Sequence, residues 1–245
     1  MDLQGKVAIL TGGARIGQVV ARDLAARGCA LAVTFRESRK AAETTVAAAR
    51  AQGVAAEALQ VDLREEKQVA ALVEKTNERF GRIDILLNMA STYASVPFSR
   101  LGSKTWSDAV DVDARGSFLL AVKAAPHMKR AGAGRIINVS DWLPVSGRPR
   151  YPGYALYYVA KAAVQALTEA LALELAPEIL VNAIAPGPIV PPDDLSKEDD
   201  DKVIAATPLR RWGGAEEIAK AVRFLIETDF VTGECIRVDG GRHLY

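Results

Sequence analysis

The stretch that decides the fold is Lys6-Val-Ala-Ile-Leu-Thr-Gly-Gly-Ala-Arg-Ile-Gly17, an apolar run followed by a glycine-rich turn. Its first part, Val7–Leu10, does not alternate between apolar and polar residues, which is typical of a strand buried on both faces of a parallel sheet. After the turn, apolar side chains recur four apart from Ile16 to Leu24, which predicts a helix that ends at Gly28. The stretch therefore predicts a strand, a tight turn and a helix.

The same order of apolar run and helical pattern continues along the chain. Further strands are predicted at Leu31–Phe35, Ala55–Val61, Ile83–Leu87, Arg135–Val139, Leu180–Ala185 and Cys235–Val238. Helices are predicted at Lys40–Gln52, 69–80, about Lys104–Arg130 with an irregularity around Pro126, 160–175 and Ala215–Ile226. This alternation predicts an α/β fold, a doubly wound parallel seven-stranded sheet of the Rossmann type. No linker divides the sequence, so residues 1–245 are expected to form a single domain.

The composition is that of an ordinary globular protein, with 49% hydrophobic and 25% charged residues, which excludes disordered and collagen-like chains. Lysine and arginine number 31 and aspartate and glutamate 30, so the formal net charge is +1. This balance argues against nucleic acid or a membrane as a partner. The N-terminus has no signal-peptide or membrane-span pattern, so we expect a cytoplasmic protein. Cys29 and Cys235 lack zinc-ligand spacing, and no metal site is predicted.

One segment interrupts the alternation. From Pro186 the chain reads Pro-Gly-Pro-Ile-Val-Pro-Pro, and an acidic run follows as far as Asp201. Proline removes backbone donors and blocks regular structure, and the acidic run is interpreted as a solvated face. An irregular segment inside an α/β domain is often a lid beside a binding site. We therefore predict a substrate lid over residues 186–206.

The glycine-rich turn between the first strand and the first helix is a candidate phosphate site. In doubly wound folds, ligands bind outside the carboxyl ends of the strands. Glycine lets the backbone approach a ligand closely, and the following helix N-terminus offers free N–H groups to a pyrophosphate. Thr11–Gly17 differs from the G-x-G-x-x-G fingerprint, so a tight connection without a ligand remains an alternative interpretation.

The end of the second predicted strand indicates which dinucleotide binds. Arg36 lies there, 19 residues after the last glycine of the turn. An acid at such a position suits NAD, whereas an arginine suits the 2′-phosphate of NADP. Arg15, Arg36 and Arg39 are predicted to converge with Ser38 on that phosphate, with Glu37 pointing outward. The alternative is a set of unrelated surface arginines.

The strongest local signal for catalysis is Tyr157-Tyr-Val-Ala-Lys161. Residues four apart share one face of a helix, so Tyr157 and Lys161 are expected to be neighbours. A free phenol has a pKa of about 10, and a nearby positive charge lowers a pKa by roughly 1–3 units. The pair is therefore predicted to make Tyr157 a proton-transfer group. Alone, the same pattern also describes a surface tyrosine beside a lysine.

Five motifs in one order give this pattern its context. They are Thr11-Gly12 to Gly17, Asn88-Met-Ala-Ser91, Asn138-Val-Ser-Asp141, Tyr157 with Lys161, and Pro186-Gly187. In order and spacing they resemble the short-chain dehydrogenase/reductase family, from Lys6 to about Gly241. The resemblance implies the strand order 3-2-1-4-5-6-7 and a homotetramer.

The resemblance also implies roles for individual residues. Tyr157 would be the general acid and base, and Lys161 would lower its pKa and hold the nicotinamide ribose. The resemblance places Gly12, Gly13 and Gly17 at the pyrophosphate, Asp62 at the adenine, Asn88 and Ala90 along the cofactor, and Pro186, Gly187 and Ile189 at the nicotinamide. With the phosphate residues Arg15, Arg36, Ser38 and Arg39 named above, and with Ile16 and Leu63, they complete the predicted contacts of NADP(H).

The chain departs from the family pattern in its glycine turn and beside the catalytic tyrosine. Gly17 follows Gly12 by five residues instead of six, and the middle glycine is replaced in a turn that carries a basic residue. Asp141 stands where the family usually has the serine that polarises the carbonyl. Both features, and the sequence Asn88-Met-Ala-Ser, resemble the pteridine-reductase-like branch, which uses NADPH.

Two further departures lie close to the same site. Asp141 and Tyr157 are 16 residues apart, about three more than usual, which predicts a reshaped loop over Trp142–Pro152. Trp142 in this loop is either a stacking wall or a core residue. The family's asparagine that relays protons through water corresponds to Asp113.

We expect an NADPH-dependent oxidoreductase that reduces a C=O or C=N bond of a small substrate. Tyr157 would deliver the proton, and Asp141 would orient the substrate, either protonated or ionised. The substrate classes left open are pteridine-like compounds, 3-oxoacyl thioesters and other small carbonyl compounds. The alternative function is a catalytically silent NADP-binding sensor or scaffold.

Overall fold

The computed structural model describes residues 1–147 and 149–244. Its sheet has seven parallel strands in the order β3-β2-β1-β4-β5-β6-β7. They are β1 (Val7–Thr11), β2 (Ala30–Phe35), β3 (Ala56–Gln60), β4 (Ile85–Asn88), β5 (Gly134–Val139), β6 (Ile179–Pro186) and β7 (Cys235–Val238). The predicted single-domain α/β fold is confirmed.

The helices connect the strands as the sequence pattern predicts. They are α1 (Ile16–Ala25), α2 (Arg39–Arg50), α3 (Glu66–Phe80), α4 (Ser103–Val110), α5 (Gly116–Arg130), α6 (Trp142–Val145), α7 (Ala155–Leu175), α8 (Lys197–Ala205) and α9 (Ala215–Glu227). Short 3₁₀ turns occupy Phe98–Arg100 and Arg242–Leu244.

Helices cover both faces of the sheet, which explains why the strands are continuously apolar. One apolar core lies between the sheet and α1, α2 and α9, and includes Val20, Val46 and Leu225. The other lies between the sheet and α3, α5 and α7. All five residues of β1 are buried, because β1 lies inside the sheet and both of its faces are packed. The carboxyl ends of the strands are thereby held in fixed positions.

The structure corrects the predicted helix over Lys104–Arg130. The irregularity is a π-helical turn at Asp111–Arg115 between α4 and α5, whereas Pro126 lies inside α5. π-Helical turns are rare and occur frequently at functional sites. This one carries Asp113, whose side chain is buried.

The predicted lid is partly regular. Residues 187–196 contain no helix or strand, whereas the acidic residues from Glu198 to Asp201 belong to α8. The Ser196 hydroxyl accepts a hydrogen bond from the Asp199 amide at 3.1 Å, and acidic side chains occupy the first helical turn. Both features stabilise a helix N-terminus. Whether residues 186–206 move as a lid stays a prediction.

Two types of feature were not found in the part of the chain that the structure describes. None of its helices is long and apolar enough to cross a membrane. No group of three or more histidine, cysteine, aspartate or glutamate residues there is arranged to hold a metal ion.

Candidate active site

Most of the predicted cofactor residues line a cleft at the carboxyl ends of β1, β2 and β4. The cleft consists of a cavity of about 350 Å³ that runs from the glycine turn to Arg36, and a second cavity of about 210 Å³ beside Pro186. The two cavities share Gly12, Ala14 and Met89 in their walls. The sheet order reverses between β1 and β4, which is where doubly wound folds bind ligands.

The glycine turn is packed too tightly for side chains. A Cβ atom at Gly13 would lie 2.2 Å from the Val33 side chain, and one at Gly17 would lie 2.2 Å from the carbonyl oxygen of Gly12. Gly12 itself has a φ of +76°, which favours glycine. The three glycines therefore allow the turn and the start of α1 to lie close to the neighbouring strands and leave the cavity open above them.

Thr11 fixes this turn to the loop after β4. Its buried hydroxyl accepts hydrogen bonds from the amides of Met89 at 2.9 Å and Ala90 at 3.0 Å, and donates to the Leu87 carbonyl at 3.3 Å. Asn88 is also buried, and its amide group donates to Asn138 Oδ1 at 2.8 Å. Ala90 thus lines the cavity as predicted, and Asn88 supports the strand ends beneath it.

The predicted phosphate residues divide between three places. Arg36 and Ser38 line the larger cavity. Glu37 also lines that cavity, with its Oε1 atom 2.9 Å from Arg36 Nη2, and its side chain is 78% exposed.

Arg15 and Arg39 do not join Arg36. The Arg39 guanidinium packs 5.0 Å from the ring centroid of Phe35, and Arg39 lines a different cavity. Arg15 reaches the other way and donates to the Pro191 carbonyl at 2.9 Å. The predicted convergence of the three arginines is therefore absent from this structure, and Arg15 instead connects the glycine turn to the segment after β6.

The remaining cofactor residues are distributed along the cleft. Asp62 and Leu63 line the larger cavity after β3, and hydrogen bonds from Arg64 hold the pKa of Asp62 below its usual value. Ile16 and Pro186 line the smaller cavity. A Cβ atom at Gly187 would lie 2.5 Å from the Asp239 side chain, and Ile189 is buried beside the same segment.

Tyr157 lies in the first turn of α7 and binds Asp141. Its hydroxyl donates to Asp141 Oδ2 at 2.8 Å, while Asp141 Oδ1 accepts from the Leu143 amide at 2.8 Å at the start of α6. Burial raises the pKa of the Asp141 carboxyl. Burial and the nearby Asp141 carboxylate also raise the pKa of Tyr157. The prediction that the Tyr157 pKa is lowered is therefore not met in this structure, because a carboxylate, and not the lysine, contacts the phenol.

Lys161 is bound to a carboxylate of its own. Its Nζ atom lies 2.6 Å from Asp113 Oδ1 and donates to the Val139 carbonyl at 2.8 Å. The same atom is 5.9 Å from the centroid of the Tyr157 ring. The buried Ser140 hydroxyl donates to the Lys161 carbonyl at 2.9 Å. Two carboxylates thus flank the tyrosine–lysine pair.

The sequence analysis missed three residues that shape this site. Tyr93 stacks on Tyr154, with ring centroids 4.9 Å apart, and lies edge-on to Tyr157 at the same distance. Thr92 donates to Asp113 Oδ2 through its amide at 3.2 Å. The available signal was the loop after β4, where polar and aromatic residues follow the Asn88-Met-Ala-Ser motif.

A further cavity of about 410 Å³ opens beside Tyr157. Its walls include the apolar side chains of Ala94, Val96 and Leu156 together with charged residues such as Arg64 and Asp108. Trp142, which follows Asp141, is buried between the guanidinium groups of Arg150 and Arg242, at 5.0 and 5.4 Å from the ring. This packing favours the core interpretation of Trp142 over the stacking wall.

Known proteins resemble this chain over almost its whole length. Residues 13–243 match the family model described as enoyl-(acyl carrier protein) reductase. The 3-oxoacyl-[acyl-carrier-protein] reductase FabG of Staphylococcus aureus is 36% identical, over 98% of both chains.

Two solved structures are also similar to this chain over almost its whole length. A Serratia marcescens short-chain dehydrogenase/reductase mutant has a TM-score of 0.91 at 30% identity and covers 99% of this chain and 100% of its own. A blue fluorescent protein from a metagenomic library, solved in complex with NADPH, has a TM-score of 0.89 at 31% identity, over 99% of both chains. Matches of this length and identity confirm the family resemblance: the chain belongs to the short-chain dehydrogenase/reductase family of oxidoreductases.

Proposed function

We propose that this chain is an NADPH-dependent reductase of a small carbonyl or imine substrate. The observation that carries the proposal is the hydrogen bond of 2.8 Å between the Tyr157 hydroxyl and a buried carboxyl group, beside a cavity that Tyr157 lines. Burial raises the pKa of Asp141, and a carboxyl group that carries a proton at this place can pass it to the phenol. Proton donation is what reduction of a C=O or C=N bond requires.

The cleft supports a dinucleotide as the cofactor. Its larger cavity, of about 350 Å³, lies within the size range of ligand sites, and the closely packed Gly12, Gly13 and Gly17 leave room for a pyrophosphate. Arg36 and Ser38 line its far end and suit a 2′-phosphate, which favours NADP(H) over NAD(H). When bound, NADPH supplies the hydride.

The residues of the chain then have distinct roles. Tyr157 donates its hydroxyl proton to the substrate oxygen or nitrogen, and Asp141 returns a proton to the tyrosine. Among the described residues, the Lys161 ammonium group donates a hydrogen bond to the Val139 carbonyl and forms an ion pair with Asp113 Oδ1. An ammonium group has three N–H donors, so one remains for a ribose hydroxyl of the cofactor. Asp113 faces Lys161 with Oδ1 and accepts from Thr92 with Oδ2, which argues against the water-relay role expected for it.

Two substrate classes are supported by different observations. The FabG relative is a 3-oxoacyl-[acyl-carrier-protein] reductase, which favours a 3-oxoacyl thioester. The stacked rings of Tyr93 and Tyr154 beside Tyr157 offer an aromatic surface to a planar ring, and Asp141 can bond a ring N–H, which favours a pteridine-like substrate. The membership of the pteridine-reductase-like branch stays a prediction.

Self-association also forms part of the proposal. Phe118 and Val122 on α5, and Val159 and Leu173 on α7, are large apolar side chains exposed in the single chain. Apolar surface on neighbouring helices favours contact with another copy, which supports the predicted homotetramer. The cytoplasmic location stays a prediction.

Stopped-flow measurement of NADPH oxidation tests the function. The purified chain is mixed with NADPH and a panel of ketones, pterins and 3-oxoacyl thioesters, and Tyr157→Phe is compared with Tyr158→Phe as a matched control. We expect turnover of one class, a loss of roughly 10²–10⁴-fold in Tyr157→Phe, and little change in the control. Tight NADPH binding without turnover on any substrate would support the sensor or scaffold function instead.

A further inference from the structure

The ion pair between Lys161 and Asp113 is buried deeply. The side chains are 3% and 1% exposed, and Nζ and Oδ1 are 2.6 Å apart. A buried charge needs a partner, because its loss of hydration is otherwise uncompensated. The two opposite charges therefore compensate each other, and the electrostatic field that they exert together on neighbouring groups is weak.

The π-helical turn and Thr92 hold Asp113 in this position. The turn at Asp111–Arg115 carries the carboxylate toward α7, and Thr92 donates to Oδ2 through its amide at 3.2 Å and its hydroxyl at 3.4 Å. The opposite oxygen is thereby left for Lys161. The contact depends on backbone geometry from two segments and not on a flexible surface side chain.

The groups that face Tyr157 come from every element around it. Asp141 follows β5, Asp113 lies on the π-helical turn, Tyr93 lies in the loop after β4, and Lys161 is one turn further along α7. These groups comprise two carboxyl groups and one ammonium, and the ammonium forms an ion pair with the Asp113 carboxylate. A phenolate at Tyr157 would therefore lack the uncompensated positive charge that a lysine alone provides.

We propose that Asp113 is a positioning residue that holds and neutralises Lys161, so that Tyr157 keeps its proton when no substrate is bound.

The consequence for the reaction rests on the proposed function. In reduction, the C=O or C=N π bond would break, hydride from bound NADPH would form the C–H bond, and the Tyr157 proton would form the O–H or N–H bond. The phenol oxygen would take a proton from the Asp141 carboxyl group in turn, which leaves NADP⁺ and an Asp141 carboxylate. With Lys161 neutralised, the proton passes from Asp141 to the substrate through Tyr157 without a free phenolate.

Titration of Tyr157 by its near-ultraviolet tyrosinate absorbance tests the proposal without any substrate. Subtracting the curve of Tyr157→Phe isolates this residue from the other tyrosines. We expect Asp113→Asn, which keeps the side-chain shape, to lower the pH at which the Tyr157 tyrosinate appears by roughly 1–3 units. Asp111→Asn, which removes the same charge from a partly exposed position of the same turn, should leave it unchanged. An unchanged curve in Asp113→Asn, or an equal shift in Asp111→Asn, would overturn the proposal.

Two more measurements keep the test decisive. In the Lys161→Met background, Asp113→Asn should move the curve toward lower pH by less than in the native background, because only the direct repulsion between Asp113 and the phenolate is then removed. An equal shift there would show that Asp113 does not act through Lys161. If Asp113→Asn does not fold, the native chain gives the answer: Tyr157 should show no tyrosinate below about pH 10, the ordinary value for a phenol. Tyrosinate at lower pH would contradict the neutralisation. Neither result depends on whether the chain turns over a substrate.

Discussion

Breaking the Lys161–Asp113 pair should destabilise the protein far more than breaking an exposed pair of the same length. Both side chains are almost fully buried at 2.6 Å separation, so removing one partner leaves the other charge buried and unpaired. Such losses cost about 3–5 kcal/mol. We therefore expect Asp113→Leu and Lys161→Met each to lower the free energy of unfolding by about this amount.

The double variant and a surface control make this prediction specific. Lys161→Met with Asp113→Leu removes both charges, and should recover most of the loss because apolar side chains can replace a buried pair. Lys104 and Asp108 are also 2.6 Å apart, but their side chains are 87% and 42% exposed, so Lys104→Met should have little effect.

Urea denaturation at fixed protein concentration measures these differences, since self-association would make stability depend on concentration. A loss in Asp113→Leu no larger than in Lys104→Met would refute the reasoning. A double variant as unstable as the sum of the single variants would show that the two side chains do not compensate each other.

Three more predictions concern the cleft and the acid. Gly17→Ala should weaken NADPH binding in a fluorescence titration, because the new Cβ atom would lie 2.2 Å from the Gly12 carbonyl oxygen. Gly102→Ala is the control, since a Cβ atom there meets open space. Equal NADPH affinity of the two variants would contradict the prediction. Arg36→Asp should reverse any preference for NADPH over NADH, and an unchanged preference would remove Arg36 from the phosphate site. Burial raises the pKa of Asp141 in the folded state, so the folded state binds this proton more tightly than the unfolded state does. The stability that this difference contributes is present at acid pH and is lost as pH rises through the folded-state pKa. Asp141→Asn should flatten this decrease of the melting temperature with pH, and an unaltered pH profile would contradict the prediction.

The fold could be predicted because its signals are local. β1, the turn at Gly12 and α1 follow one another in the sequence. Each is indicated by its own residues: a continuous apolar run for the strand, glycine for the turn and apolar side chains four apart for the helix. The strand order came from the family resemblance, and the order observed is the same. Tyr157 and Lys161 could be paired for the same reason, since a spacing of four on a helix fixes their relative position.

The charges around that pair could not be predicted from spacing. Asp113 lies beside Lys161 on a π-helical turn that replaces the expected continuous helix. No residue pattern predicted that turn. Arg15 is separated from Pro191 by 176 residues, and its hydrogen bond there depends on how the segment after β6 returns to the glycine turn. A pattern of local arginines therefore predicted a cluster that the tertiary structure does not form.

The most direct test of the central claim is a crystal structure of this chain with NADP⁺ and a bound substrate or product. We expect the dinucleotide to extend from Arg36 across the glycine turn. The Tyr157 hydroxyl should lie within hydrogen-bond distance of the reacting oxygen or nitrogen and of Asp141. A complex in which that hydroxyl turns away from the nicotinamide and the substrate would contradict it.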